Sequence, residues 1–85
     1  MKQITYETTG TCSKYIYIEA DDNKIIHDIK VLGGCSGNLQ GICSLVRGMQ
    51  LNEVKNRLGG IMCGMKGTSC PDQISKAITE LEKQY

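Results

Sequence analysis

Residues 31–39 read Val31-Leu32-Gly33-Gly34-Cys35-Ser36-Gly37-Asn38-Leu39, and this stretch divides the chain in two. Before it, apolar residues alternate with polar ones, the period of a strand with one buried face. After it, they recur every three or four positions, the period of an amphipathic helix. A strand that passes through a Gly-rich turn into a helix leaves backbone N–H groups and the helix's positive end facing one point. A cysteine thiol held there loses its proton more readily and serves as a nucleophile or metal ligand. Gly33, Gly34 and Gly37 permit left-handed dihedrals and leave room beside the sulfur. For a lone cysteine, a plain turn around a small buried thiol would be a sufficient reading. Four further cysteines make it insufficient.

Upstream of the divide, Lys2 to Thr8 alternates weakly, with Ile4 and Tyr6 on one face, and predicts an edge strand. Thr9-Gly10-Thr11-Cys12-Ser13 is a turn that carries the first cysteine. Lys14 to Ala20 alternates clearly: Ile16, Ile18 and Ala20 share one face, and Tyr15, Tyr17 and Glu19 the other. Asp21-Asp22-Asn23-Lys24 has the composition of a hairpin turn. Ile25 to Leu32 then returns as a strand, with Ile29 and Val31 toward the core. A turn centred on Asp22 and Asn23 pairs residues whose numbers sum to 45. Cys12 then lies across from Gly33, two residues from Cys35, and a slip of one or two residues would not part the two cysteines.

Downstream, Asn38 or Ser36 caps a helix whose apolar stripe is Leu39, Ile42, Val46 and Met49, with Cys43 and Leu45 on its flanks. Gly48 is its stop. Asn52 caps a short helix, Glu53 to Leu58, that buries Val54 and Leu58 and ends at Gly59-Gly60. Ile61 to Gly67 is a Gly-rich loop, with Cys63 as its anchor. Thr68-Ser69-Cys70-Pro71-Asp72-Gln73 opens the last helix. Two caps compete there, Ser69 with Asp72 at the third helical position, or Cys70 with Pro71 at the first. Ile74, Ala77, Ile78 and Leu81 form the buried stripe. Asp72 with Lys76, and Lys76 with Glu80, are expected as exposed partners four residues apart. Strands followed by helices predict an α+β fold. Its three-stranded antiparallel sheet, in the N-terminal half, packs against about three helices, in the C-terminal half.

Composition limits the function. At 85 residues the chain is one small domain, with ten glycines, four tyrosines and neither Trp nor Phe. A core so poor in large side chains gains from a metal or disulfide staple. A formal charge of +1 argues against nucleic acid or an anionic membrane surface as an electrostatic partner. No apolar run approaches the roughly 20 residues of a spanning helix. The N-terminus lacks the apolar segment of a signal peptide, so the expected location is the cytoplasm. Thiols stay reduced there, and five cysteines then point to metal, redox chemistry or catalysis before disulfides.

The motifs resemble two families. The stretches Gly33 to Ile42, Leu45-Val46-Arg47-Gly48-Met49, Gly60-Ile61-Met62-Cys63-Gly64 and Thr68 to Gln73 resemble the small bacterial proteins named for their TSCPD motif, from about Cys12 to Leu81. The resemblance implies a single TSCPD-type domain over residues 1–85, with family cysteines at Cys12, Cys35, Cys63 and Cys70. Cys43 falls outside that pattern. Related domains are appendages of cobalamin-dependent ribonucleotide reductases. The resemblance therefore implies an association with ribonucleotide reduction and DNA-precursor synthesis, with a reductase or another protein as partner, and a nucleotide-binding label. A self-contained reductase needs a large barrel around a buried radical site, which this chain is too short to build. More distantly, the chain is similar to the iron–sulfur cluster assembly scaffolds. Cys12, Cys35 and Cys70 look like that family's three ligands. Lys14 stands where an acidic residue is expected, and Ser69 where a histidine is.

Four thiolates at one point suit zinc in a closed tetrahedral site or an iron–sulfur cluster. The expected site is therefore Cys12, Cys35, Cys63 and Cys70, and the expected function a small metal-binding module. Thiol redox chemistry or iron–sulfur assembly is an alternative. A second is a nucleotide-binding regulatory module with a phosphate at Gly33 to Asn38, although no P-loop lysine follows. Cys43 reads as a core residue, and Met49, Met62 and Met65 as packing or loop cover. His27 lies roughly 25 Å from Cys35 along an extended strand, at about 3.3 Å per residue, and reads as a surface or half-buried residue.

Overall fold

The computed structural model describes residues 1–8, 14–33, 36–61 and 69–85, and of residues 36–38 the backbone alone. Among the described residues, three strands precede three helices: β1 (Lys2–Glu7), β2 (Tyr15–Ala20), β3 (Ile26–Leu32), α1 (Ser36–Val46), α2 (Leu51–Leu58) and α3 (Cys70–Glu82). The strands form an antiparallel sheet in the order β1-β2-β3, so the α+β arrangement expected from the sequence holds and β1 is an edge.

Ile16, Ile18 and Ala20 of β2 are buried on the face that the helices cover. Tyr15, Tyr17 and Glu19 alternate to the other face, where the Tyr17 hydroxyl lies within hydrogen-bond distance of Gln3 and Glu19. The hairpin register differs from the expected one. Tyr15 pairs with Leu32 and Ile18 with Ile29, so paired numbers sum to 47 and not 45. The turn is longer because Asp21 N–H bonds to Ile25 O at 3.1 Å and Lys24 N–H to Asp21 O at 2.9 Å, with Lys24 at φ +64°. An irregularity then follows: Glu19 pairs with Asp28 but Ala20 with Ile26, which leaves His27 as an extra residue. This bulge turns Ile26 into the core and His27 out to solvent. Simple alternation would not have placed Ile26 there.

The helices also correct details. α1 begins at Ser36, so Asn38 lies within its first turn and not at its cap. Leu39, Cys43 and Val46 are buried and Ile42 is half-buried, whereas Leu45 is 75% exposed. Gly48 takes φ +87° just past the helix, as a C-terminal stop requires. α2 begins at Leu51, two residues earlier than an Asn52 cap would allow, and its N-cap Gln50 makes no side-chain cap bond. The hairpin turn removes the need for one: Leu51 N–H bonds to Lys24 O at 2.9 Å. Ile26 N–H meets Met49 O, and Gly48 N–H meets Ile26 O, so this turn is laced to the sheet. α2 buries Leu51 and Val54, while Leu58 only packs at the edge of the core.

In α3 the expected stripe, Ile74, Ala77, Ile78 and Leu81, is fully buried. Lys55 of α2 reaches Glu82 of α3 at 2.6 Å, and the Ser75 hydroxyl donates to Lys55 O at 3.0 Å. Asp72 pairs with Lys76 at 3.5 Å, but its side chain is 9% exposed and is no surface partner. Glu80 takes Lys83, at 2.6 Å, in place of the expected Lys76. Among the described residues no helix is long and apolar enough to cross a membrane.

Candidate functional site

The described residues that border the expected cysteines Cys12 and Cys35 lie at one end of the sheet. β1 finishes there, β2 starts there and β3 finishes there. The pairing continues one step past the strands: Thr8 N–H bonds to Lys14 O at 3.0 Å, and Lys14 N–H to Leu32 O at 2.8 Å. Gly33 follows at φ +80°, and a Cβ on it would lie 3.0 Å from Cγ of Lys14. Lys14 thus lies against Gly33, which must be glycine both for its backbone and for this close approach.

Both long helices start toward this rim. α1 begins three residues beyond Gly33, and past its far end Gly48 is tied to Ile26 at the turn end of the sheet. α3 is tied to that same far end by the residues that follow it. The Gln84 amide donates to Gln3 O at 2.8 Å and the Tyr85 hydroxyl to Asp21 O at 2.7 Å. Thirteen helical residues at 1.5 Å each span about 20 Å. Six strand residues at about 3.3 Å span a similar length. The helix therefore directs its first residue, Cys70, back toward the rim, on the face where α3 packs on β1 and β2.

The start of α3 is held by two buried polar side chains. Ser69 is the N-cap, and its Oγ accepts from Asp72 N–H at 3.1 Å while donating to Ile61 O at 2.5 Å. The Asp72 carboxylate accepts from Gly60 N–H at 2.8 Å. Of the two competing caps the serine is therefore used, with Cys70 at the first helical position and Pro71 at the second. No local signal in the sequence announces the bonds from Asp72 to Gly60 and from Ser69 to Ile61. The Ser-x-x-Asp spacing signals the cap but not a partner eight or twelve residues upstream.

Of the expected ligands, Cys70 is described, half-buried at the first residue of α3. Cys12, Cys35 and Cys63 lie outside the described residues, as do Met62 and Met65. Among the described residues no three His, Cys, Asp or Glu groups gather as a metal ion would need. Cys43 is 6% exposed in the core, where burial pushes its thiol above the ordinary value, against a smaller opposite pull from Arg47. His27 sits toward the turn end of the sheet, exposed and 2.8 Å from Asp21.

This architecture is that of a small α+β domain in which two helix N-termini and three strand ends share one rim. The chain belongs to the TSCPD domain family, whose model matches residues 2–82. The family's letters are residues 68–72 of this chain, among which Ser69 caps α3. No curated protein matches the chain, and no solved structure does.

Proposed function

We propose that the chain is a small metal-binding module in which Cys12, Cys35, Cys63 and Cys70 supply thiolates to a zinc ion or an iron–sulfur cluster. By its family association it serves ribonucleotide reduction, acting on or with a protein partner. One observation carries the reading. Four described residues meet in two contacts, Lys14 against Gly33 and Ser69 bonded to Ile61. Each is one or two residues along the chain from one of the four cysteines. Two residues of chain reach about 7 Å at most, which supports pairing Cys12 with Cys35 and Cys63 with Cys70. The direction of α3 supports one locus for both pairs. The donor chemistry fits as well: thiolate sets are the ligands of structural zinc and of iron–sulfur clusters. A metal held there would tie the rim together, the role expected of a staple in a domain of this size.

Elemental analysis of untagged protein, purified without chelator, tests the proposal together with an ultraviolet–visible spectrum. Close to one zinc per chain without colour, or iron with a brown chromophore, is expected. Folded protein that holds under a tenth of an equivalent of either, as isolated and after anaerobic reconstitution, would overturn it.

A further inference from the structure

We infer that Ser69 and Asp72 are positioning residues for the thiolate site: they fix Gly60 and Ile61 against the start of α3 and so set where the segment bearing Cys63 departs relative to Cys70. The inference rests on the metal-binding reading and names residues that hold no metal themselves. Both residues are buried, at 5% and 6% exposure, although each carries a polar group that would be hydrated on an open surface. Their burial is matched by bonds between residues 60–61 and the start of α3. The Ser69 hydroxyl uses its proton on Ile61 O and a lone pair on Asp72 N–H. The Asp72 carboxylate holds Gly60 N–H at 2.8 Å and meets Lys76 at 3.5 Å. An ordinary N-cap needs only the bond from Ser69 to Asp72. The two further bonds go to consecutive residues, Gly60 and Ile61, and leave them docked on the helix start, although Ile61 itself is 43% exposed. Apolar burial of Ile61 therefore does not explain the docking. Residues that orient metal-bearing segments without ligating act in this way, and their loss typically lowers affinity 10- to 100-fold.

The experiment measures zinc affinity by competition with a chromophoric chelator, beside urea unfolding of each metal-free protein. The variants are Asp72→Ala, Asp72→Asn, Ser69→Ala and Ser69→Thr. Ser75→Ala is the control, since it removes a similarly buried hydroxyl bond, to Lys55 O, one turn further along the same helix. Asp72→Ala and Ser69→Ala are expected to weaken zinc about tenfold or more, and Asp72→Asn and Ser69→Thr, which keep the acceptor or hydroxyl, to restore most of the loss. Ser75→Ala should lose stability and keep its zinc affinity. If the alanine variants bind zinc as the wild type does, or if Ser75→Ala weakens it equally, the positioning role is wrong while the metal site stands. If the wild type itself takes up no zinc, the metal-binding reading falls and this inference with it. Should an alanine variant not fold, the outcome is read from Asp72→Asn and Ser69→Thr, where a tenfold loss without unfolding overturns the role assigned to the retained bond.

Discussion

One carboxylate holds the hairpin turn. Asp21 accepts from Ile25 N–H at 3.1 Å and Asn23 N–H at 2.9 Å through one oxygen, and meets His27 at 2.8 Å through the other. The Ile25 bond first, then His27, draws its pKa below the ordinary carboxylate value, and both act on the ionised form. The folded chain therefore binds this proton less readily than the unfolded chain. The stability it adds is present above the ordinary aspartate value, about 4, and is lost as pH falls toward the lower folded value. Urea midpoints measured between pH 6 and pH 3 should fall at the acid end, and Asp21→Asn should flatten that fall. An unchanged profile in Asp21→Asn would remove the carboxylate from the account. Cys43 makes the contrasting case. Burial raises its thiol pKa, so alkylation of native protein should leave Cys43 unlabelled long after unfolded protein reacts. Cys43→Ala should lose about 1 kcal/mol of stability and no metal, as read by urea unfolding and elemental analysis.

Where α2 hands over to α3, packing is tight enough to test by a single methyl group. Gly59 has an ordinary φ of −67°, so alanine fits its backbone. The added Cβ would nevertheless lie 2.9 Å from Ser75 Oγ and 3.0 Å from Lys55 O. Gly59→Ala should cost about 1–3 kcal/mol, the usual cost of overpacking. In a Ser75→Ala background the first clash is gone and the second, with backbone, remains. Urea unfolding of the four proteins in the cycle should therefore show partial relief, and additive losses would exclude the contact. The same junction shows what the sequence could announce. Ile74, Ala77, Ile78 and Leu81 repeat at helical spacing, and Ile16, Ile18 and Ala20 alternate, so local periodicity named α3, β2 and their buried faces. It could not reveal the bulge at His27, because an extra residue leaves no mark on composition. It missed the start of α2, because the group that satisfies Leu51 N–H is Lys24 O, 27 residues earlier. Asp72 looked like an exposed partner of Lys76 for the same reason: its bond to Gly60 exists only once α2 and α3 are packed. Of the candidate site, the Ser69 cap and the place of Cys70 were written locally. The long-range bonds that hold Ile61 and Gly60 were not.

Across the molecule, the two ends of the sheet are held by different means. At the turn end, backbone bonds from Ile26, Gly48 and Leu51 lace the hairpin to the α1–α2 connection, and Gln84 and Tyr85 tie α3 down. Those bonds adjoin one continuous buried cluster that includes Ala20, Ile26 and Leu81 and also Ile16 and Ile74. At the rim, Lys14, Leu32, Gly33, Gly60 and Ile61 are all exposed, with Leu32 at 52%. Apolar burial at about 25 cal/mol per Å² thus contributes little through these residues. A ligand bound by the native rim and not by the unfolded chain would add stability by mass action, about 4 kcal/mol at a thousandfold excess over its dissociation constant. In a domain of this size that corresponds to a melting shift of at least about 10 °C. On the metal-binding proposal, stripping the metal with a strong chelator should therefore lower the melting temperature by that order, and its effect should be uneven. Hydrogen exchange should speed up at the rim amides of Thr8, Lys14 and Gly60 while Ile26, Gly48 and Leu51 keep their protection. Uniform loss of protection at both ends would mean that the whole fold depends on the metal. No change at either end would mean that packing and the latch at α3 already suffice, and the staple would lose its physical reason.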